Sequence, residues 1–163
     1  MALAVSVAAI ADDAPALLGQ TWINVQASQA PTLKGKGHVT LVHFWTFACS
    51  NCQANLPIYD RLFAKYASSG LDFVGVHTPE LDFEKKTENV RKAIDRFGIK
   101  WPVLIDPAGG NWQRWRVRYW PTVFLVDKKG VIRSKWEGEL NFRGQKGEEQ
   151  VEHMIRQLLA EKG

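Results

Sequence analysis

LVHFWTFACSNCQANLP, residues 41–57, is the stretch whose reading decides the fold. Leu41, Val42, Phe44 and Trp45 are aliphatic, β-branched or aromatic, the composition of a buried strand. A segment with Leu56, Leu62, Phe63 and Tyr66 at helical spacing follows. Ser50 and Asn51 suit a helix start, because their side chains can satisfy free backbone N–H groups. Cys49 and Cys52 therefore fall where a strand ends and a helix begins.

That placement carries chemistry. Cysteines at i and i+3 in a first helical turn have Cα atoms about 5–6 Å apart, within disulfide range. Cys49, nearest the helix N-terminus, meets free N–H groups and the positive end of the macrodipole, which lowers a thiol pKa. Such a thiolate attacks disulfides and also leaves well. Cys52, one turn further in, is placed to resolve a mixed disulfide.

With Pro57 five residues after the second cysteine and Trp45 four before the first, the stretch resembles a thioredoxin-fold active site. The closer resemblance is to TlpA/ResA/DipZ-like thiol–disulfide oxidoreductases. It is carried also by GVHTPE (75–80), a Trp-Pro pair and LID (101–106), YWPTVFLVD (119–127) and KKGVIRSKWEGE (128–139). The resemblance implies an α/β/α sandwich on a central mixed sheet. It also implies a βα insertion between the CxxC helix and a cis-proline loop.

The totals agree with one domain. A chain of 163 residues, 45% hydrophobic, can bury a core without disulfide staples. Its 21 basic and 17 acidic residues are dispersed, and the longest basic clusters are two residues, such as Lys128-Lys129. Nucleic-acid binding needs a concentrated patch, so no nucleic-acid partner is expected. Two cysteines three positions apart cannot staple distant segments.

Residues 1–16 are expected to be a flexible tail, with 17–163 forming the single thioredoxin-like domain. Leu3 to Ile10 is apolar but too short to span a membrane. Ala9-Ile10-Ala11 has the A-x-A form of a signal-peptidase site, though no basic region precedes it. A signal remnant and a plain flexible terminus are both open readings. The resemblance implies an extracytoplasmic location, periplasmic or secreted, with a cytoplasmic one as alternative.

Beyond the tail, Trp22 to Val25 reads as an edge strand and Gly35-Lys36-Gly37 as a turn before a central strand from Val39 to Trp45. The CxxC helix is expected to reach Ser68 and stop at Gly70. Further strands are expected at Leu71–His77 and Trp101–Ile105, with an amphipathic helix over Phe83–Phe97 between them. Thr122–Val126 and Val131–Trp136 read as a hairpin across Asp127-Lys128-Lys129-Gly130. Gly147–Leu159 reads as a terminal amphipathic helix.

Several residues near the dithiol have two readings each. In thioredoxins the position of His43, six residues before Cys49, carries a buried acid that handles the proton of the second cysteine. A histidine there is a departure, read either as a proton acceptor for Cys52 or as a hydrogen-bonded core residue. Glu80 matches by motif position a glutamate that approaches the cysteines in the ResA-like branch. It would raise thiol pKa values or shuttle protons; otherwise it is an exposed helix-start residue. Pro121, after Trp120, matches the cis-proline loop, whose backbone pairs with a substrate strand. Trp112, Trp115, Tyr119 and Trp120 form an apolar substrate surface unless some are core. Trp45, Ser50, Asn51, Trp120 and Pro121 are assigned to substrate contact; Cys49, Cys52, Glu80 and His43 to the chemistry.

The reading is a protein disulfide oxidoreductase, a reductase outside the cytoplasm that acts on disulfide-containing or dithiol proteins. An upstream membrane electron donor fits, and a monomer is expected. No cofactor or metal is implied, the electrons residing in the cysteine pair. Thiol peroxidase is the first alternative: Thr46 and Cys49 have the T-x-x-C spacing of peroxiredoxins, but no earlier proline accompanies them. A metal-binding or copper-chaperone module is the second. One CxxC offers two ligands of the usual four, and His38, His43 and His77 would have to converge.

Overall fold

In a computed structural model, residues 11–34 and 37–163 are described. The apolar run 3–10 and the turn residues Gly35 and Lys36 lie outside them. The strands are β1 (Asp12–Asp13), β2 (Trp22–Ile23), β3 (Val39–Trp45), β4 (Leu71–His77), β5 (Val103–Ile105), β6 (Thr122–Val126) and β7 (Val131–Glu137). The helices are α1 (Ser50–Tyr66), α2 (Thr87–Phe97), α3 (Gly110–Arg114) and α4 (Gly147–Ala160). All seven strands join one sheet in the order β1-β7-β6-β3-β4-β5-β2.

The centre of that sheet explains its sequence. β3 is flanked by β4 in parallel and β6 antiparallel, and all seven of its residues are buried. Both faces of a covered strand must be apolar, so the run shows no polar alternation. Leu41 and Trp45 point to one face with Val123, Leu125, Phe73 and the apolar sides of α1, α2 and α4. Val42 and Phe44 point to the other, with Val74, Val76, Phe124 and Trp115. Three helices thus cover one face. Trp112, Trp115 and the chain before β2 cover the other, completing three layers.

The register fixes what meets at the C-terminal end of β3. Trp45 lies opposite His77, the last residue of β4, and Phe44 opposite Thr122, the first of β6. The turn carrying Cys49, the loop after β4 and the loop before β6 therefore emerge side by side. The Trp120–Pro121 peptide bond in that last loop is cis.

Several elements differ from the sequence reading. Helix 83–97 is split: a 3-10 turn spans Asp82–Lys85, Lys86 is extended, and α2 starts at Thr87. The periodicity of Val90, Ala93 and Ile94 marks α2 correctly, and Gly98 ends it at φ 67°, a left-handed conformation glycine adopts freely. The strand expected from Trp101 contracts to Val103–Ile105, because Trp101 is core and pairs with His43 instead. Asp12–Asp13, within the stretch expected as a tail, pairs antiparallel with Val131 and Ile132 of β7, and Ala14 behind it is buried. α3 was not anticipated; at five residues it is too short to show a period.

Candidate active site

The site is built at the end of β3. After Trp45 the chain turns through Thr46–Ala48, and Cys49 adopts an extended conformation, φ −83° and ψ 115°. Cys49 itself is the N-cap of α1: its Sγ accepts from the Cys52 amide at 3.3 Å. The sequence reading gave the cap to Ser50 and Asn51; instead both residues are exposed. The cysteines are unbridged, Cys49 half-buried and Cys52 buried.

The two thiols are pushed apart electrostatically. The Cys52 side chain hydrogen-bonds the Cys49 sulfur and lowers its pKa to about 7; burial opposes this, while the backbone amides of Cys52 and Asn51 add to it. Burial pushes the Cys52 thiol far up, and its hydrogen bond to Cys49 holds its proton further. One thiol is poised to ionise near neutrality, and its neighbour stays protonated until Cys49 has reacted.

Glu84 is the residue sequence reasoning missed. It is 1% exposed, and its carboxylate takes four donors. Oε1 accepts from the Thr46 hydroxyl and from the Ala48 amide at 2.9 Å. Oε2 accepts from the amides of Glu80 at 3.1 Å and Leu81 at 2.8 Å. Burial raises its pKa, but these bonds outweigh burial and hold it below the usual carboxylate range. One fixed charge thereby ties the turn before Cys49 to the loop after β4, and it also raises Cys52. The sequence carried a faint signal, a glutamate three residues into a helical start. The residue at the cap is Leu81, so the usual capping pair was absent.

Glu80 presents only its backbone amide to this cluster. Its side chain is exposed, and its charge is the last-ranked of the influences on Cys49, raising it. His43 is fully buried. Its Nε2 accepts from Trp101 Nε1 at 2.8 Å, its ring lies 4.6 Å from Tyr59, and burial pulls its pKa to about 3. An indole only donates, so the proton of this neutral ring is on Nδ1, which has no partner among the described residues. No hydrogen bond joins His43 to either cysteine among those residues. His77 is closer to the dithiol turn: Nε2 accepts from the Phe47 amide at 3.3 Å, and burial lowers it to about 4.

Trp45 does not face substrate. It is 1% exposed, edge-on to His77 at 5.1 Å between centroids, because strand alternation turns it into the helical layer. Trp120 is half-buried, donates to the Thr78 carbonyl at 2.9 Å and packs on Trp112 at 4.0 Å. Tyr119 is 58% exposed, whereas Trp115 is core at 4%. Trp120 packs on the same core cluster as Cys49, Pro121 after it is buried, and Tyr119 lies outside them. Among the described residues no group of three or more His, Cys, Asp or Glu could hold a metal.

A reactive, buried-partner dithiol at a strand-to-helix junction beside a Trp-Pro loop defines the thioredoxin-fold redox proteins. The AhpC/TSA family profile matches residues 10–135, and the chain belongs to that family. It is 38% identical over 148 residues to Protein DipZ of Mycobacterium bovis, covering 90% of this chain and 20% of that protein. It is 28% identical over 125 residues to the thiol-disulfide oxidoreductase ResA of Bacillus thuringiensis, covering 77% of this chain and 65% of that one. The chain thus spans about a fifth of DipZ's length. In fold it is similar to a thiol:disulfide interchange protein DsbE from Chlorobium tepidum. That likeness has a TM-score of 0.73 and 24% identity, over 95% of this chain and 100% of that one. The resemblance to the DipZ and ResA group is borne out. No helix among the described residues is long and apolar enough to cross a membrane.

Proposed function

We propose that this chain is a protein disulfide reductase that works through Cys49 and Cys52. The observation that carries the reading is the split of the pair: a half-buried thiol near pKa 7 accepting from the amide of its buried, protonated neighbour. The Cys49 thiolate attacks one sulfur of a partner's disulfide, and the other sulfur leaves as a thiolate and takes a proton. Cys52 then gives up its proton and attacks Cys49 Sγ, which releases the second partner thiol and leaves a Cys49–Cys52 disulfide. A dithiol donor must return the two electrons, and a membrane-bound one fits the extracytoplasmic location that Ala9-Ile10-Ala11 and the relatives favour. Partners dock on Ser50, Asn51 and Trp120, beside the buried Pro121, and the protein acts as a monomer.

Direction follows from thiolate stability. A thiol near 7 lies with thioredoxin, and far from the value near 3.5 of a strong oxidase. Glu80 and Glu84 both oppose further ionisation, at Cys49 and Cys52 respectively. His43 takes the core reading: neutral, bonded to Trp101, it keeps the sheet end in shape and moves no proton. Equilibration with glutathione tests the direction. The potential is expected below about −200 mV, and one near −120 mV would mark an oxidase instead.

Thiol peroxidase is favoured by the T-x-x-C spacing of Thr46 and Cys49. The Thr46 hydroxyl, however, donates to Glu84 and not toward Cys49. Peroxide consumption by the reduced protein, expected to be slow beside its disulfide exchange, separates the two.

A further inference from the structure

Arg114-Trp115-Arg116-Val117-Arg118 alternates charge with apolar residues, and the structure turns this alternation into two sides. Trp115 and Val117 are buried in the sheet's second core, while the three arginines are exposed. All three line one cavity of about 460 Å³, closed beneath by Trp115, Phe124 and Ile132. That volume is within the range of ligand clefts. Arg116 reaches its place with a φ of 52°, which a non-glycine residue rarely adopts.

Among the described residues the three guanidiniums share one cavity and have no acid partner, a lack that Arg91, Arg96 and Arg143 show singly elsewhere on the surface. Elsewhere the fold pairs Arg61 with Glu148, Arg133 with Asp127 and Glu161, and Arg156 with Glu152. Among the described residues no carboxylate lies within ion-pair distance of Arg114, Arg116 or Arg118. Of the acids on the same cavity, Asp13 is taken by Lys34 at 2.9 Å, leaving Asp12 against three arginines. Lys135, also on the wall, is held by Glu137.

The cavity is tied to the active site through the chain. Arg118 is three residues before Pro121, so their Cα atoms lie within about 11 Å. Thr122, next to Pro121, pairs across from Phe44 at the end of β3 that bears the dithiol.

We infer that this arginine cleft receives an acidic segment of the protein whose disulfide is exchanged. Resting on the proposed reductase reading, this names the class of partner that reading leaves open. Guanidiniums grip carboxylates bidentately, and three in a row at alternate positions match carboxylates spaced along an extended segment. A nucleic-acid strand fits less well. Trp115 and Phe124 are 4% and 3% exposed and offer no face for base stacking. The dispersed charge of the sequence hid the cleft, because the arginines are never adjacent and converge only through the turn at Arg116.

The test uses two disulfide-linked peptides of equal length, one flanking its cysteine with Asp and Glu, the other with Gln. The reduced protein is expected to reduce the acidic peptide with a kcat/KM about tenfold higher at low salt, the advantage shrinking as salt rises. A variant carrying Arg114→Gln, Arg116→Asn and Arg118→Gln is expected to lose the advantage and keep the wild-type rate on the neutral peptide. Asn at 116 suits the left-handed backbone. Equal rates on both peptides for wild type, or an advantage surviving in the variant, would overturn the proposal. So would a fluorescent single-stranded oligonucleotide that binds through these arginines while the acidic peptide does not. Failure to reduce even the neutral peptide would count against the reductase reading alone. Fluorescence anisotropy of a cysteine-free acidic peptide then still decides the cleft, arginine-dependent binding supporting it and no binding refuting it.

Discussion

Cys49 and Glu84 show how single residues set the chemistry. The Cys49 thiol is held near 7 by its hydrogen bond from Cys52, so the nucleophile forms within the physiological range. Alkylation of the reduced protein by iodoacetamide should therefore rise through pH 7 and level off above about 8. A profile still rising through pH 9, as for a free thiol near 8.5, would remove the basis for an activated Cys49. Glu84 works by satisfaction: two oxygens meet four donors, and a glutamine must turn an NH₂ toward two of them. Glu84→Gln should cost about 1–3 kcal/mol in thermal or urea unfolding. The sign with pH follows from the lowered folded pKa of Glu84. Its contribution is present above the unfolded carboxylate value of about 4.3, and it is lost as pH falls through the folded one. The gap between wild type and variant should close below pH 4; a gap that is constant down to pH 3 would show that the carboxylate charge is not what matters.

At the scale of elements, β4 has to pass close to β3's buried rings. A Cβ placed on Gly75 would sit 2.9 Å from His43 Nε2 and 3.1 Å from Trp45 Nε1. Gly75→Ala should cost about 1–3 kcal/mol, measured by urea unfolding, because neither buried ring has room to retreat. A neutral result would mean the ring layer is looser than the packing indicates. The same elements show what was legible beforehand. β3, β4, α1 and the β6–β7 hairpin could be read because their apolar runs and glycine stops are local signals. Glu84 could not, because its partners Thr46 and Ala48 come from another loop, 38 and 36 residues away. His43 could be placed on a strand face, yet its partner Trp101 is 58 residues distant, so its neutral, core character appears only in three dimensions. α2's early turn was misplaced because Glu84 holds Asp82–Lys85 in a separate 3-10 turn.

At the scale of the whole molecule, the sheet order brings three loops from distant parts of the chain to one end. They are the dithiol turn after β3, the Glu80–Glu84 loop after β4, and the Trp120–Pro121 loop before β6. In the proposed function the first carries the nucleophile and the third offers a surface beside it, while the buried carboxylate of the second holds the turn before Cys49. The central claim is that Cys49 attacks and Cys52 resolves. The direct measurement is mass spectrometry of the adducts formed when Cys49→Ser and Cys52→Ser variants are each mixed with a disulfide-bonded protein such as insulin. Cys52→Ser should accumulate a mixed disulfide through Cys49, because attack survives and resolution does not, while Cys49→Ser should stay unmodified. Accumulation on Cys49→Ser through Cys52, with Cys52→Ser inert, would contradict the account.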